Sequence, residues 1–249
     1  MKKKKEEKGG EMDITKILPK ECIAEIISRT SFRHACCRLS LVSEAVKSAA
    51  DSKLSFAIDK LSRKKCYMLS TRALTIIWGD NPRQWEWISP AQLRLKAQFK
   101  AHFVSLSAYG RAQLRLAVQP RFAEVAHLLN VRWLDIQGRI ETQFLSPNTT
   151  YGAYFVYTTG IHCNNLDYPV NLYLRTGNEM EGEASIGYLL PRKVSTVPLR
   201  PEGRLSHWRK DQWMEIEIGE FFNGQDDGVV VMRLWENEDP GWKSGLVVH

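Results

Sequence analysis

The chain has no long hydrophobic run. No apolar stretch approaches the roughly 20 residues that a membrane-spanning helix needs, and the lysine-rich residues 1–13 lack the apolar centre of a signal peptide. We therefore expect an intracellular protein, cytoplasmic and nuclear, without a membrane partner. Residues 1–13 are interpreted as a disordered, solvated basic leader, with a nuclear localisation signal as the alternative.

Cysteine is scarce, and its spacing predicts neither a metal site nor a disulfide framework. The five cysteines form no C-x-x-C pair and have no histidines at the spacing of zinc ligands. Reduced thiols buried in packing are the simplest account, and no cofactor is expected. The histidines have no nucleophile or paired carboxylate at a spacing that indicates catalysis, so we expect a protein without enzymatic activity.

Acidic residues are absent between Pro90 and Arg121, where six basic residues lie. This segment carries +6 of the net charge of +7, which leaves +1 for the rest of the chain. Residues 89–119 fit neither a clear helix nor a strand pattern, so they are interpreted as an atypical, poorly ordered basic insert. An RNA-binding or membrane-surface helix is the alternative, but few aromatic residues interleave with the basic ones, and nucleic acid is not expected as a partner.

Two hydrophobic patterns divide the rest of the chain. Between residues 14 and 52, apolar side chains recur at helical spacing after Pro19, which suits the first turn of a helix, and predict a small all-helical unit. From about Cys66, short alternating runs separated by Gly, Pro and Asn predict a β-sandwich or jelly-roll-like domain. One helix is expected within residues 121–129. The predicted strands are Lys65–Leu69, Leu74–Trp78, Leu134–Gln143, Ala153–Tyr157, Val170–Leu174, Ala184–Leu189, Trp213–Ile218, Val229–Trp235 and Gly245–Val248.

The sequence TIIWGDNPRQWEW, residues 75–87, places three tryptophans beside a turn. A tryptophan offers a core its largest apolar side chain, and it offers a ligand a flat face and one N–H. Trp78, at the end of a predicted strand, is therefore either a core residue or a binding platform, whereas Trp85, beyond the proline of the turn, is expected to be exposed. Five further tryptophans are expected to be packing residues: Trp87, Trp133, Trp213, Trp235 and Trp242.

Residues 18–50, LPKECIAEIISRTSFRHACCRLSLVSEAVKSAA, resemble the F-box, whose Leu-Pro start and apolar helical positions dock onto a Skp-type adaptor of cullin-based ubiquitin ligases. The F-box pattern normally continues with an aromatic-containing helix and a longer connector. Here the chain runs directly into the first predicted strand, so the unit at 14–52 is interpreted as a truncated F-box-like unit. The resemblance implies these adaptor-binding residues: Leu18, Pro19, Ile23, Ile26, Ile27, Leu39 and Val42.

Four further stretches resemble the lectin-like domain of the plant phloem protein two family, which is related to the tobacco lectin Nictaba. They are KKCYMLSTRALTIIWGDNPRQWEWI, RFAEVAHLLNVRWLDIQGRIETQFLSPNTTYGAYFVYT, WMEIEIGEFF and WKSGLVVH, and they occur in the family's order across residues 64–249. The resemblance implies a sugar-binding, jelly-roll-like β-sandwich. An F-box followed by this domain is a known plant arrangement.

In Nictaba-like lectins, two tryptophans seven positions apart and acidic residues near the carboxyl end form the sugar site. Trp78 and Trp85 have that spacing, and Glu236 and Glu220 are the matching acids, with Glu236 preferred. The chemistry suits a pyranose, because its C–H face needs an aromatic surface and its hydroxyls need acceptors, of which an ionised carboxylate is the stronger kind. Additional polar contacts are expected from Asp80, Asn81 and Gln84.

Two departures from the family pattern affect this domain. The basic insert separates two motifs that lie close together in related sequences, and it directly follows the predicted sugar-contacting turn. The family's last strand usually continues past the position of Val248, whereas this chain stops at His249. A strand shortened in this way is expected to leave neighbouring backbone groups unpaired.

The two resemblances together predict a substrate-recognition subunit of a cullin-type ubiquitin ligase. The helical unit would recruit the Skp-type adaptor, and the sandwich would bind carbohydrate, namely N-acetylglucosamine-containing glycans on target glycoproteins. The chain would be a non-catalytic adaptor, because ubiquitin transfer belongs to other subunits. One alternative is a protein-interaction adaptor whose lectin-like domain no longer binds sugar, and another is an RNA-binding protein that acts through residues 89–121.

Overall fold

The computed structural model describes residues 54–89, 91–93, 121–177, 183–190, 202–224 and 228–249. The predicted basic leader, the helical unit at 14–52 with all its adaptor-binding residues, and residues 94–119 of the basic insert lie outside the described residues. All the described residues belong to one unit, Lys53–His249.

The described part of the chain is built mainly from β-strands. In chain order they are β1 (Leu54–Ile58), β2 (Lys65–Leu69), β3 (Thr75–Ile76), β4 (Trp85–Ile88), β5 (Val125–Leu128), β6 (Leu134–Glu141), β7 (Thr149–Asn164), β8 (Pro169–Thr176), β9 (Ser185–Tyr188), β10 (Arg204–Leu205), β11 (His207–Trp208), β12 (Met214–Asn223), β13 (Val229–Glu236) and β14 (Ser244–Val248). Short 3-10 turns follow β2 and β6, at Thr71–Ala73 and Thr142–Phe144.

The strands form two six-stranded sheets and a separate hairpin of β1 and β2. The first sheet has the order β10-β9-β8-β13-β6-β3, and the second has the order β11-β12-β7-β14-β5-β4. Pairing is antiparallel throughout both sheets except between β10 and β9, which run parallel. The chain crosses repeatedly from one sheet to the other, so six of the ten pairs of neighbouring strands in the two sheets are not consecutive in the chain.

The two sheets pack face to face. Residues such as Ile136 and Leu234 of the first sheet belong to the same buried apolar cluster as Phe155 and Leu246 of the second. In β6 the residues of the sequence LDIQGRIE alternate between buried and more exposed, as expected for a strand with one face on the core. The prediction of a mostly β protein with sandwich packing is therefore confirmed for the described residues.

The helix predicted within residues 121–129 is wrong, because Val125–Leu128 form strand β5. Ala126 and Leu128 belong to the core between the sheets, whereas Val125 packs in a second buried cluster with Ile88 and Trp213. A strand covered on both faces shows no alternation of apolar and polar residues, and its short apolar run cannot be told from a helix by periodicity.

Three other observations complete the comparison with the predicted elements. Each of the nine predicted strands corresponds to an observed one, whereas β1, β4, β10 and β11 were not predicted, and β5 was predicted as a helix. β1 pairs along its whole length with β2, and it begins ten residues before residue 64, the predicted start of the lectin-like domain. The prediction of buried thiols is wrong for Cys66, which is exposed, and Cys163 is partly buried.

Candidate functional site

The turn between β3 and β4 is closed by its own backbone and by one asparagine side chain. The amide of Gly79 donates to the carbonyl of Ile76 at 3.0 Å, and those of Gln84 and Trp85 donate to the carbonyl of Asn81 at 2.9 and 3.0 Å. The Asn81 side-chain oxygen accepts from the amide of Arg83 at 3.0 Å. An asparagine that bonds backbone two residues ahead stabilises tight turns, so the local sequence accounts for this geometry.

Trp85 lies beneath this turn and not on its surface. Its side chain is 1% exposed and belongs to the core between the sheets. Its indole N–H donates to the carbonyl of Ile77 at 3.1 Å. The prediction that Trp85 faces solvent is wrong, because β4 pairs with the buried strand β5 and directs this ring inward. A ring with so little exposed surface offers no face to a sugar.

Trp87 also hydrogen-bonds to the backbone of this turn. Its indole N–H donates to the carbonyl of Gly79 at 2.9 Å, and the guanidinium carbon of Arg72 lies 3.7 Å from the centre of its ring. A cation over an aromatic face adds about 0.5–1 kcal/mol at a partly exposed position. Trp85 and Trp87 therefore hold two backbone carbonyls of the turn, which lie on either side of Trp78.

Trp78 stands at the outer surface of the turn and stacks on Trp133. The ring centres are 5.7 Å apart with 28° between the planes, and the two side chains are 38% and 49% exposed. Trp78 has a φ of 53°, in the left-handed region that a bulky residue rarely adopts. That conformation costs roughly 1–2 kcal/mol, while an aromatic pair contributes about 0.5–1.5 kcal/mol, so the stacking offsets most of the strain.

Trp133 was predicted to be a packing residue, and that prediction is wrong. Register explains its position: Ile76 of β3 pairs with Ile136 of β6 and the amide of Ile77 bonds to the carbonyl of Asp135, so Trp78 comes next to the end of β6 that Trp133 precedes. We call the exposed pair Trp78 and Trp133 the tryptophan corner. The sequence contains no local signal for this pair, because 55 positions separate the two residues.

Glu236, the preferred acid, lies next to the tryptophan corner but is buried. It pairs with Leu134 across β13 and β6 and is 3% exposed. One carboxylate oxygen accepts from the amides of Glu238 and Asp239 at 2.8 and 2.7 Å, and the other lies 2.5 Å from the Lys243 ammonium nitrogen. Both oxygens are thus engaged within the protein, and Glu236 does not present the acceptor that was predicted.

Lys243 is the centre of a buried polar cluster, which we call the lysine cluster. Its side chain is 1% exposed, and its ammonium donates to the carbonyls of Arg132, Asp239 and Gly241 at 2.8, 3.0 and 3.2 Å. A carboxylate oxygen of Asp239 at 3.2 Å and the ion-paired oxygen of Glu236 also lie within reach, so these five oxygens share the three N–H groups of the ammonium. These contacts fasten the loop between β13 and β14 beside the tryptophan corner.

Glu220 is exposed but lies at the other end of the sandwich. It pairs with Gly152 near the start of β7, and three residues later the Asn223 side chain donates to the carbonyl of Ser146 at 2.9 Å. Ser146 follows the Glu141 end of β6, whereas the tryptophan corner lies beside Leu134, at the other end of that strand. The structure therefore does not bring Glu220 together with Trp78.

Exposed polar groups do surround the tryptophan corner. Asp80 of the turn is exposed, as are Asn237 and Glu238 directly after β13. Arg132 has its guanidinium carbon 4.9 Å from the ring centre of Trp242, whose side chain is 49% exposed and was predicted to pack. Flat apolar surface with charged and amide groups at its rim is the combination that a sugar ring needs.

Known proteins resemble this sequence. The sequence model of the Phloem protein 2 family matches residues 64–249. The chain belongs to the phloem protein 2 family. Among its relatives in Arabidopsis thaliana, F-box protein At2g02240 is 30% identical over 94% of this chain and 78% of its own length. F-box protein PP2-B1 is 27% identical over 93% and 87%, and F-box protein PP2-B10 is 31% identical over 80% and 63%.

The chain thus groups with plant F-box proteins that carry a phloem protein 2 domain, as the resemblances in its sequence predicted. Within the described ranges of this phloem protein 2 domain, no helix is long and apolar enough to cross a membrane. The same ranges contain no group of three or more metal-ligating side chains placed to hold an ion.

Proposed function

We propose that this chain is a substrate-recognition subunit of a cullin-type ubiquitin ligase whose phloem protein 2 domain binds carbohydrate. Its residues 18–50 recruit a Skp-type adaptor, and the sandwich selects glycoproteins that bear N-acetylglucosamine-containing glycans. The chain is non-catalytic and acts in the cytoplasm and the nucleus. Support for the ligase half comes from the F-box names of its relatives and from the Leu-Pro start of the helical pattern.

The observation that carries the carbohydrate half is the tryptophan corner. Two large aromatic faces stand exposed side by side, and one of them, Trp78, keeps a left-handed backbone that the surrounding hydrogen bonds maintain. Strained residues that a structure holds firmly tend to lie at binding sites. The sugar ring lies on Trp78 or Trp133, and its hydroxyls bond to the rim groups Asp80, Asn237 and Glu238.

Two residues predicted from the sequence to contact sugar act in this proposal as positioning residues. Trp85 holds the carbonyl that precedes Trp78, and Glu236 fixes the loop that carries Asn237 and Glu238. Their loss weakens sugar binding through the position of other groups. Glu220 has no part in the proposed site, because it lies at the far end of the sandwich.

The test is binding of N-acetylglucosamine oligomers to the full chain, measured by calorimetry or on a glycan array. Trp78→Ala and Trp133→Ala are each expected to weaken binding about two- to tenfold, since an aromatic contact contributes about 0.5–1.5 kcal/mol. Replacement by Tyr at either position keeps a flat ring and is expected to restore most of the binding.

Trp208→Ala is the matched control, because Trp208 is 48% exposed and lies on β11, away from the tryptophan corner. Its loss is expected to leave sugar binding unchanged. Equal binding by wild type, Trp78→Ala and Trp133→Ala would show that any sugar binds elsewhere.

The ligase half is tested by pull-down of a purified Skp-type adaptor with the full chain. The double variant Ile23→Asp/Ile26→Asp should abolish capture, because a charge in an apolar docking face is costly to desolvate. Trp78→Ala should capture the adaptor as wild type does. Failure of wild type to capture the adaptor would contradict this half without bearing on the carbohydrate half.

One observation favours a second function, a protein-interaction adaptor that no longer binds sugar. Three of the four residues predicted to contact sugar are unsuited to it in this structure: Trp85 and Glu236 are buried, and Glu220 lies at the other end. Competition separates the two functions. N-acetylglucosamine oligomers should displace captured targets from a lectin and leave a reader of polypeptide unaffected.

A further inference from the structure

Four connections cross from one sheet to the other at the end of the sandwich that carries the tryptophan corner. They join β3 to β4, β5 to β6, β13 to β14 and β7 to β8. In the first sheet the strands of these connections follow the order β3-β6-β13-β8, and in the second they follow the order β4-β5-β14-β7. Because the two orders match, the four connections lie side by side in a row across this end.

Contacts between neighbouring connections hold the row together. The tryptophan corner joins the first connection to the second. Val131 of the second and Lys243 of the third exchange backbone hydrogen bonds of 3.0 and 2.7 Å. The side chain of Asn165, in the fourth connection, donates to the carbonyl of Trp242 in the third at 3.1 Å. These two connections are so close at Gly241 that a Cβ there would collide with the amide group of Asn165.

Each of the four connections exposes one large aromatic side chain. Tyr168 of the fourth connection is 39% exposed, and the first three connections carry the tryptophan corner and Trp242. We call Trp78, Trp133, Trp242 and Tyr168 the aromatic row. Half of the exposed large aromatic residues in the described ranges belong to it. Neighbouring strands lie about 4.8 Å apart, so the row extends over about 14 Å.

Trp242 is presented on a backbone that the protein holds firmly. The Asp239 side chain accepts from the amide of Gly241 at 3.2 Å, and the ammonium of Lys243 lies 3.2 Å from the carbonyl of Gly241. The guanidinium of Arg132 lies against the Trp242 ring, as described above. A ring that is held in place before binding loses little conformational freedom when a ligand covers it. Trp242 is therefore suited to be a second platform.

Polar groups accompany the aromatic rings, and the exposed charges among them balance. Asn237 and Glu238 are exposed on the third connection. The exposed charged residues of the four connections are two acids, Asp80 and Glu238, and two bases, Arg83 and Arg132. A surface without an excess of cations does not favour a polyanion, whose binding depends on several basic residues that neutralise phosphates. Aromatic faces with amide and charged groups beside them instead suit a neutral sugar.

We propose that the aromatic row binds a neutral, linear oligosaccharide, with Trp242 and Tyr168 as a second subsite beyond the tryptophan corner. This second subsite rests on the proposed carbohydrate function and adds to it the length of the ligand and two contact residues. A single pyranose covers one aromatic ring, whereas a row of about 14 Å accommodates a chain of roughly three or more sugar rings. Successive sugar rings place C–H faces on the aromatic rings, and their hydroxyls bond to the polar groups beside them.

The length of the ligand is the first test. Binding of N-acetylglucosamine oligomers with one to four sugar rings to the full chain is measured by calorimetry. Affinity should rise about tenfold from the disaccharide to the tetrasaccharide, because the longer chain adds aromatic contacts at the second subsite. Equal affinity for the two would overturn the second subsite and leave the proposed function standing, provided that Trp78→Ala weakens binding of both. Absence of binding by every oligomer would overturn the proposed function and the second subsite with it.

Variants of the second subsite give the next test. Trp242→Ala and Tyr168→Ala should each lower the affinity for the tetrasaccharide about two- to tenfold, and so narrow its difference from the disaccharide. Trp242→Phe keeps a flat ring and should restore most of that difference. Trp208→Ala, the matched control, should bind oligomers of every length as wild type does. An equal loss for the disaccharide and the tetrasaccharide in Trp242→Ala would show that Trp242 acts on the tryptophan corner alone, and it would overturn the second subsite.

Nuclear magnetic resonance locates the sugar without reliance on the affinity of a variant. The indole N–H signal of Trp242 is assigned from its absence in Trp242→Phe. In the wild-type chain this signal should shift much more with saturating tetrasaccharide than with saturating disaccharide, whereas the indole signal of Trp78 should shift with both. A Trp242 signal that stays in place with saturating tetrasaccharide would overturn the second subsite.

Discussion

The two ends of β14 are stabilised by different kinds of interaction. Before Ser244, the lysine cluster and the indole groups of Trp85 and Trp87 bond the backbone carbonyls of two loops. After Val248, aromatic packing completes the strand, because the ring of His249 lies against those of Phe122 and Trp213. One end is rigid because its polar groups are paired inside the protein. The other depends on the burial of one titratable ring, that of His249.

A buried histidine, His249, lies at the end of β14 that follows Val248. The ring of His249 lies 4.4 Å from that of Trp213, and its Nε2 accepts from the amide of Arg121 at 2.7 Å. Burial lowers the pKa of His249 to about 4; Asp211 opposes this shift, and Arg209 and Arg121 add to it. The two ends of β14 should therefore respond differently to substitution and to pH.

The largest expected effect is the loss of the central cation of the lysine cluster. Lys243→Met should lower the free energy of unfolding by about 3–5 kcal/mol, because it leaves Glu236 and Asp239 buried without their counter-charge. Urea unfolding followed by tryptophan fluorescence measures the change. Arg233→Met is the control: Arg233 forms a two-bond ion pair with Asp135 at a partly exposed position, and its loss should cost about 1 kcal/mol or less. Equal losses of stability in Lys243→Met and Arg233→Met would contradict the expectation that the buried cation matters more than the partly exposed one.

Acid should next weaken the His249 end. The unfolded chain binds a proton on His249 near the ordinary pKa of 6.5, and the folded chain does so only near 4, so the unfolded state holds more protons between these values. The free energy of unfolding should therefore fall by about 3 kcal/mol between pH 6.5 and pH 4. His249→Asn should remove that part of the pH dependence. His207→Asn, at an exposed position, should leave it intact.

A smaller effect is expected for two buried tryptophans, one near each end of β14. Trp85→Phe removes the donor to the Ile77 carbonyl and should cost about 1–3 kcal/mol beyond the loss of ring area. Trp213→Phe removes an N–H for which the described residues offer no partner, so it should cost less. Urea unfolding measures both. The proposed sugar binding should weaken for Trp85→Phe and not for Trp213→Phe. A larger loss of stability in Trp213→Phe than in Trp85→Phe would contradict the prediction.

The smallest expected effect tests the strain in the tryptophan corner. Trp78→Gly relieves the left-handed backbone but loses the stacking on Trp133, so stability should stay within about 1 kcal/mol of wild type. Trp78→Ala keeps the strain and loses the stacking, so it should be about 1 kcal/mol less stable than Trp78→Gly. Thermal unfolding measures this difference. Alanine more stable than glycine would show that the backbone at residue 78 is not strained.

Much of the fold could be predicted from sequence, and the misses have physical causes. Alternation in β6 and β12 reflects one face on the core and the other toward solvent, and such strands were predicted correctly. β5 is covered on both faces, so alternation is lost and the segment was taken for a helix.

The candidate site was predicted less well. Trp78 was expected to be either core or platform, and the structure exposes it. Trp85 has the family spacing, but its exposure depends on whether β4 lies against a buried neighbour. Glu236 was expected to contact sugar but is buried beside the tryptophan corner. The cation that engages it, Lys243, could not be paired with it from sequence alone, since salt-bridge partners depend on how the loop folds back.

The amino-acid sequence by itself determined the β-rich class, the order of most strands and the family, because these depend on local periodicity and on motifs read along the chain. The tertiary structure decided which tryptophans face water and which carboxylates are buried. Those properties arise from residues that are distant in sequence and adjacent in space, as Trp78 and Trp133 are, and strand register alone brings such residues together.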